Sequence, residues 1–234
     1  MYLSSAMEKT NTRNITNEVT AVIVNYNTPA LLEVAVSSLR RWYPFIHFIL
    51  IDNGSDIESL QHLDKYKIEF PGTIEVILNK GNMHHGPAMD QGIRLAVTPF
   101  VFILDSDCEI LQGGLIEQMV ALLRQSPSRY IAGKVISMNK RGFDTELNAP
   151  GSILYVRPFC MMVKRDIYLP LPPFQLHGAP CLTNMRSAVE KGFELVHFPV
   201  EEYVRHEGRG TASQFGYQLG FKGKLNHLLN KMGL

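Results

Sequence analysis

Residues 100–104, Phe-Val-Phe-Ile-Leu, form an unbroken apolar run that stops on two carboxylates, Asp105 and Asp107. Five consecutive apolar side chains describe a strand covered on both faces, and such a strand belongs inside a sheet with helices on either side. Asp105-Ser106-Asp107 falls where that strand leaves the sheet. If the chain turns there, the two carboxylates converge and offer oxygen ligands to a hard divalent cation such as Mg²⁺ or Mn²⁺. Aspartates that follow a strand also serve as turn residues and helix caps. The rest of the chain decides between these readings.

Up to about residue 110 the pattern alternates strand and helix. Residues 19–24 are β-branched and strand-like, ending on Asn25-Tyr26-Asn27. Thr28 and Pro29 then open a helix whose apolar positions are Leu31, Leu32, Ala35, Val36 and Leu39. Residues 45–51 give the next strand, closed by Asp52-Asn53-Gly54-Ser55-Asp56, and a helix is expected over 57–66. A third strand is expected over 74–78, a loop over 79–86 and a helix over 87–97, ahead of the strand at 100–104. The expectation is an α/β fold, a Rossmann-like, mostly parallel sheet flanked by helices. In such sheets ligands bind outside the carboxyl ends of the strands. Three polar clusters fall there, at 25–27, 52–56 and 105–107, more than scattered turn chemistry accounts for.

The pattern changes after an amphipathic helix at 115–125. Strands at 130–138 and 152–164 lack crossover helices, a polar loop separates them, and 169–173 is proline-rich. A helix at 182–191 ends at Gly192, and short strands are expected at 194–198 and 202–205. The expected organisation is a polar, disordered lead-in at 1–18, one domain at 19–215 and a C-terminal amphipathic helix at 216–234. The domain divides into a regular half (19–125) and a mixed, irregular half (126–215). The apolar face of the last helix carries Phe221, Leu225, Leu228, Leu229 and Met232, flanked by lysines. It packs on its own domain or makes a peripheral membrane contact through 221–232.

The formal net charge of +1 excludes a general electrostatic nucleic-acid binder. Cys108, Cys160 and Cys181 lack metal-ligand spacing and suit reduced thiols, hence a cytoplasmic location, at most peripheral on the inner face of a membrane. No stretch reaches the roughly 20 apolar residues of a membrane span, and the first residues do not read as a secretory signal. Gly208-Arg209-Gly210-Thr211-Ala212-Ser213 lacks the last glycine of a dinucleotide fingerprint, and no phosphate loop is present.

Four ordered segments resemble the family 2 glycosyltransferases, which have the GT-A fold. They are residues 22–27, ending Asn25-Tyr26-Asn27; residues 51–56, Ile-Asp-Asn-Gly-Ser-Asp; the loop and helix from Asn79-Lys80-Gly81-Asn82 to Gly86-Pro87-Ala88-Met89-Asp90-Gln91-Gly92; and Leu104-Asp105-Ser106-Asp107. Residues 204–208, Val-Arg-His-Glu-Gly, are similar to a late His-containing segment of that family. The resemblance implies inverting transfer from a nucleotide-sugar donor (UDP-, GDP- or dTDP-linked) to a saccharide, lipid-linked or other acceptor, with Mn²⁺ or Mg²⁺; residues 19–125 would be the nucleotide-sugar-binding half and 126–215 the acceptor half. It implies a metal at Asp107, Asp105 by the ribose or metal, Asp52 by the nucleobase and Asn25, Tyr26 and Asn27 along the nucleoside. Asn82 and Ser106 complete the donor-contacting set. His206 is then a further metal or diphosphate contact, against the alternative of a structural histidine.

Two departures stand out. The family's Glu-Asp pair, which supplies the general base, is replaced by Leu176-His177-Gly178-Ala179-Pro180-Cys181. His177 is the nearest group able to take a proton, with Asp144, Glu146 and Glu201 as alternatives. Met89-Asp90 stands where the family often has Arg-Asn, and His84 or His85 is the candidate replacement for that cation. The missing pair also motivates a second reading, a degenerate relative that binds a nucleotide sugar or a partner without turnover. A third, a sugar nucleotidyltransferase, would want a glycine-rich basic loop after the first strand; Asn25-Tyr26-Asn27-Thr28-Pro29 has neither glycine nor charge.

Overall fold

The computed structural model describes residues 15, 17–139, 142–147, 149–175 and 178–207. The expected C-terminal helix, most of the expected lead-in and His177 lie outside these residues. Among the described residues one eight-stranded sheet organises the chain. Its parallel half has the order β3-β2-β1-β4, built from Val19–Asn25 (β1), His47–Asp52 (β2), Ile74–Leu78 (β3) and Phe100–Asp105 (β4). The other half is chiefly antiparallel. Ile153–Lys164 (β8) pairs with β4, Arg129–Met138 (β6) pairs with β8, and Asp144–Thr145 (β7) closes that edge. Glu194–His197 (β9) runs parallel to β6. Two short strands off the main sheet, Cys108–Ile110 (β5) and Val204–His206 (β10), pair antiparallel with each other.

The helices cover both faces, and the strands show why. In β1, Ala21 and Ile23 enter one apolar cluster while Val22 enters the other. In β4, Phe102 and Leu104 go one way, and Val101 and Ile103 go the other. The first face is covered by Pro29–Trp42 (α1), Ile57–Glu69 (α2) and Leu115–Arg124 (α4) through Leu32, Val36, Leu39, Leu63, Met119 and Leu123. The second is covered by His85–Leu95 (α3), Arg165–Tyr168 (α5) and Leu182–Glu190 (α6) through Met89, Ile93, Tyr168, Met185 and Ala188. Strand β4 is thus buried on both sides, as its composition required.

The amino edge of the sheet is locked by a buried cation. Arg40 lies over the rings of Phe48 and Phe70, 4.5 and 4.6 Å from their centroids. It donates to the carbonyls of Pro44, Ile46 and Thr73. Burial pulls its pKa down to about 10. The opposite, carboxyl edge is left to polar residues.

A candidate donor site at the carboxyl edge of the sheet

Register brings the three polar clusters together. Asn25 at the end of β1 lies beside Asp52 at the end of β2, and Val24 lies beside Asp105 at the end of β4. Side chains lace the clusters to one another. Asn25 is fully buried; its Nδ2 donates to Asp52 Oδ1 at 3.0 Å and its Oδ1 accepts from Thr28 Oγ1 at 3.0 Å. Thr28 Oγ1 also lies 3.1 Å from Ser106 Oγ, which ties the first loop to the Asp-Ser-Asp turn. The backbone of Asn27 donates to Ser55 Oγ, and the Asn27 side chain accepts from the Asp56 backbone. Asn27 holds a φ of +53°, a left-handed conformation that asparagine tolerates. Tyr26 is partly buried.

Asp52, expected by the nucleobase, is fully buried and accepts four hydrogen bonds. They come from Asn25 Nδ2, from Ser55 Oγ at 2.6 Å, and from the backbone N–H groups of Gly54 and Ser55 at 3.2 and 2.9 Å. This carboxylate shapes the turn that borders the site.

Asn53, quoted in the sequence motif but given no role there, ties the next loop to this turn. Its Nδ2 donates to Asn82 Oδ1 and to the carbonyl of His84, and its Oδ1 accepts from the Met83 backbone and Asn79 Nδ2. Asn82 therefore spends its side-chain oxygen on loop structure, accepting also from the His84 backbone. The loop approaches so closely that a Cβ on Gly54 would sit 2.5 Å from Gly81 Cα, and Gly54 has a φ of +81°. Only glycine meets both demands.

The sequence pattern places this helix after a loop over 79–86, starting at about residue 87. The helix begins two residues earlier, after His84 turns the chain with a φ of +73°. That puts His85 on the first turn with Nε2 at 3.1 Å from Asp105 Oδ1. Burial opposes charge on both groups, yet their mutual attraction wins. The pKa of His85 is raised and that of Asp105 lowered. The Met89-Asp90 departure has a packing explanation. Met89 is in the core, and Asp90 pairs with Arg94 and accepts from the Tyr168 hydroxyl at 2.6 Å.

The second carboxylate turns elsewhere. The pairing of β5 with β10 sets His206 opposite Cys108. His206 Nε2 then lies 3.3 Å from Oδ1 of Asp107, a residue only 9% exposed. The hydrogen bond with Asp107 raises the His206 pKa despite some burial. Donor atoms of Asp107, Cys108 and His206 all fall within 4.8 Å of one another, the single cluster of this kind among the described residues. Cys108 is fully enclosed, its thiol faces the Phe159 carbonyl at 3.5 Å, and burial pushes its pKa well up. The sulfur is committed to the Phe159 carbonyl, which leaves a carboxylate and an imidazole as the available ligands. That donor set fits a divalent cation with an affinity for both oxygen and nitrogen. Asp105 and Asp107 thus face different partners, one on α3 and one on β10.

The model for glycosyl transferase family 2 matches residues 20–186. The chain belongs to glycosyl transferase family 2. In this family 2 chain the match runs from β1 into α6 and includes all three polar clusters, while β9, β10 and His206 lie beyond it. No curated protein matches the sequence. Solved structures with a similar fold include a mannosyltransferase, PcManGT from Pyrobaculum calidifontis, in complex with GDP-Man and Mn²⁺. It is 15% identical with a TM-score of 0.60, over 78% of this chain and 55% of that one. GalNAc-T7 with UDP, GalNAc and Mn²⁺ is 17% identical with a TM-score of 0.61, over 80% and 42%. S. aureus TarS 1-349 in complex with UDP-GlcNAc is 15% identical with a TM-score of 0.56, over 85% and 61%. The family 2 chain therefore spans about half the length of these structures, and the likeness is one of GT-A fold.

Of the alternative bases, Asp144 is paired with Arg157, and Glu201 with Lys134. Glu146 is exposed.

Proposed function

We propose that this chain transfers a sugar from a nucleotide-sugar donor to an acceptor hydroxyl, with inversion, at the carboxyl edge of β1, β2 and β4. The observation that carries this reading is the Asp107–His206 pair beside Asp105, at the edge where three polar loops meet. Mn²⁺ and nucleotides in two solved structures of similar fold, and a nucleotide sugar in a third, support this class of ligand.

In this reading Asn25, Tyr26, Asn27 and the turn held by Asp52 border the nucleoside. Asp105, with one oxygen held by His85, presents its other lone pairs to the ribose. Ser106 spaces the two carboxylates, and Asn82 supports the loop that closes this side. Asp107 and His206 would hold the cation, and the imidazole nitrogen makes Mn²⁺ a better match than Mg²⁺. When bound, the cation supplies Lewis-acid neutralisation of the leaving diphosphate. His177 is assigned as the base that takes the acceptor proton because it stands nearest the place of the family's Glu-Asp pair; Asp144 and Glu201 each face a cation, and exposed Glu146 is the remaining alternative. The acceptor is a saccharide or a lipid-linked glycan, with peripheral membrane contact through 221–232. No helix among the described residues is long and apolar enough to cross a membrane.

Release of nucleoside diphosphate from a panel of UDP-, GDP- and dTDP-sugars, with simple saccharide acceptors, tests the reaction. One nucleotide class is expected to react, chelator is expected to stop it, and the product anomeric configuration by NMR is expected to be opposite to the donor's. Release that persists in chelator would remove the metal. Binding of nucleotide with no turnover for any donor would leave a binding protein instead.

A further inference from the structure

Strand β8 is irregular at one place. Its partner on one side, β4, ends at the pair Leu104–Cys160. On the other side β6 pairs Gly133 with Met161 and then Val135 with Val156. Residues 157–160 of β8 therefore face the single residue Lys134, an irregularity in the ladder that includes Pro158. Proline, which cannot donate to a ladder, is tolerated at such a place. Gly133 permits the crowding, since a Cβ there would lie 2.6 Å from Val156 Cγ1. The irregular segment continues past the end of β4, at the edge where the Asp-Ser-Asp turn lies.

Phe159 is the residue this segment delivers. Its ring lies flat on the imidazole of His206, with centroids 4.4 Å apart and planes within 6° of parallel. Phe159 also packs against the main apolar cluster, so it is anchored from below. Its backbone is fastened as well, because the Cys108 thiol donates to the Phe159 carbonyl at 3.5 Å. Cys108 is the residue that pairs with His206 across β5 and β10. One buried residue thus ties both members of the stack. Metal-binding histidines are commonly oriented by a hydrogen bond from the second ring nitrogen. Among the described residues His206 has no such bond, and the ring plane is set by the Phe159 face.

We propose that Phe159 is a positioning residue that fixes the plane of His206 so that Nε2 points at the cation held with Asp107. The proposal rests on the metal reading given above. Without the aromatic face, His206 keeps its place on β10 but its ring is free to rotate about the side-chain bonds, and the cation loses a prepaid ligand.

The test uses the full chain and Mn²⁺ alone, followed by electron paramagnetic resonance, with nitrogen coupling to the metal as the spectroscopic signature. Phe159→Leu keeps apolar volume below the imidazole and Phe159→Tyr keeps the flat face. The leucine variant is expected to bind Mn²⁺ about tenfold more weakly, with reduced nitrogen coupling. The tyrosine variant is expected to restore both, which loss of packing alone does not predict. Wild-type affinity and coupling in Phe159→Leu would overturn the proposal and leave the metal reading intact. Undiminished nitrogen coupling in His206→Ala would overturn both, because the ligand would then not be His206.

Discussion

Asp107→Ala is expected to lower metal-dependent sugar transfer by about 10²–10³-fold or more, the scale seen when a group that stabilises developing charge is removed. Asp107 is one of the two residues assigned to the cation, and its carboxylate faces His206 at 3.3 Å. The fold should survive. The side-chain partner left behind is His206, whose side chain is 31% exposed and regains water. Stability is therefore expected to fall by only about 1 kcal/mol, the centre of the range for single substitutions. Steady-state rates at saturating Mn²⁺, with circular dichroism melting of the same preparations, separate the two effects. Turnover within about threefold of wild type would take Asp107 out of the mechanism.

Asp52→Ala is expected to act through the scaffold. The carboxylate is fully buried and is the shared acceptor for Asn25 Nδ2, Ser55 Oγ and two backbone N–H groups. Alanine leaves several of these donors without a partner, at about 1–3 kcal/mol for each that water cannot reach. The exposed rim absorbs part of that cost, so a loss of about 3 kcal/mol is expected. For a domain of this size that is about 6–12 °C in melting temperature. Transfer should fall as well, because the loops carrying Asn25, Asn27 and Ser55 lose their common anchor. Thermal unfolding of the variant checks the energetic part. A change below about 1 kcal/mol would mean that the four hydrogen bonds are individually dispensable and that Asp52 acts through the donor instead.

The difference between these two aspartates shows how far the sequence is legible. Strands β1, β2 and β4 are dense in β-branched and aromatic residues, and their alternation with helices forces a parallel half-sheet. Once that is given, the carboxyl edge must gather Asn25, Asp52 and Asp105, and it does so in adjacent registers. Propensity has no purchase on β5, three residues that form a strand because they pair with β10, whereas β10 itself overlaps the strand expected over 202–205. The Asp107–His206 contact depends on that pairing, so the resemblance suggested His206 but nothing local placed it. The ion pair of His85 was hidden in a similar way. The helix is expected from residue 87, after a loop over 79–86, and His84 with its positive φ moves the start upstream. The irregularity at 157–160 left only one clue, a proline inside an apolar strand pattern. Asn53 reads as a turn residue by composition, and its bonds to the 79–84 loop emerge only when Gly54 lets the two loops touch.

Thermal stability measured against a panel of nucleoside diphosphates, with and without Mn²⁺, tests the central claim most directly. A ligand that binds only the native chain stabilises it by mass action, about 2.7 kcal/mol at a hundredfold excess over its Kd. The account predicts a rise of several degrees with one nucleotide, dependent on Mn²⁺ and absent in Asp107→Ala. An equal rise without metal, or no rise with any nucleotide, would contradict a metal-assisted donor site at Asp105-Ser106-Asp107.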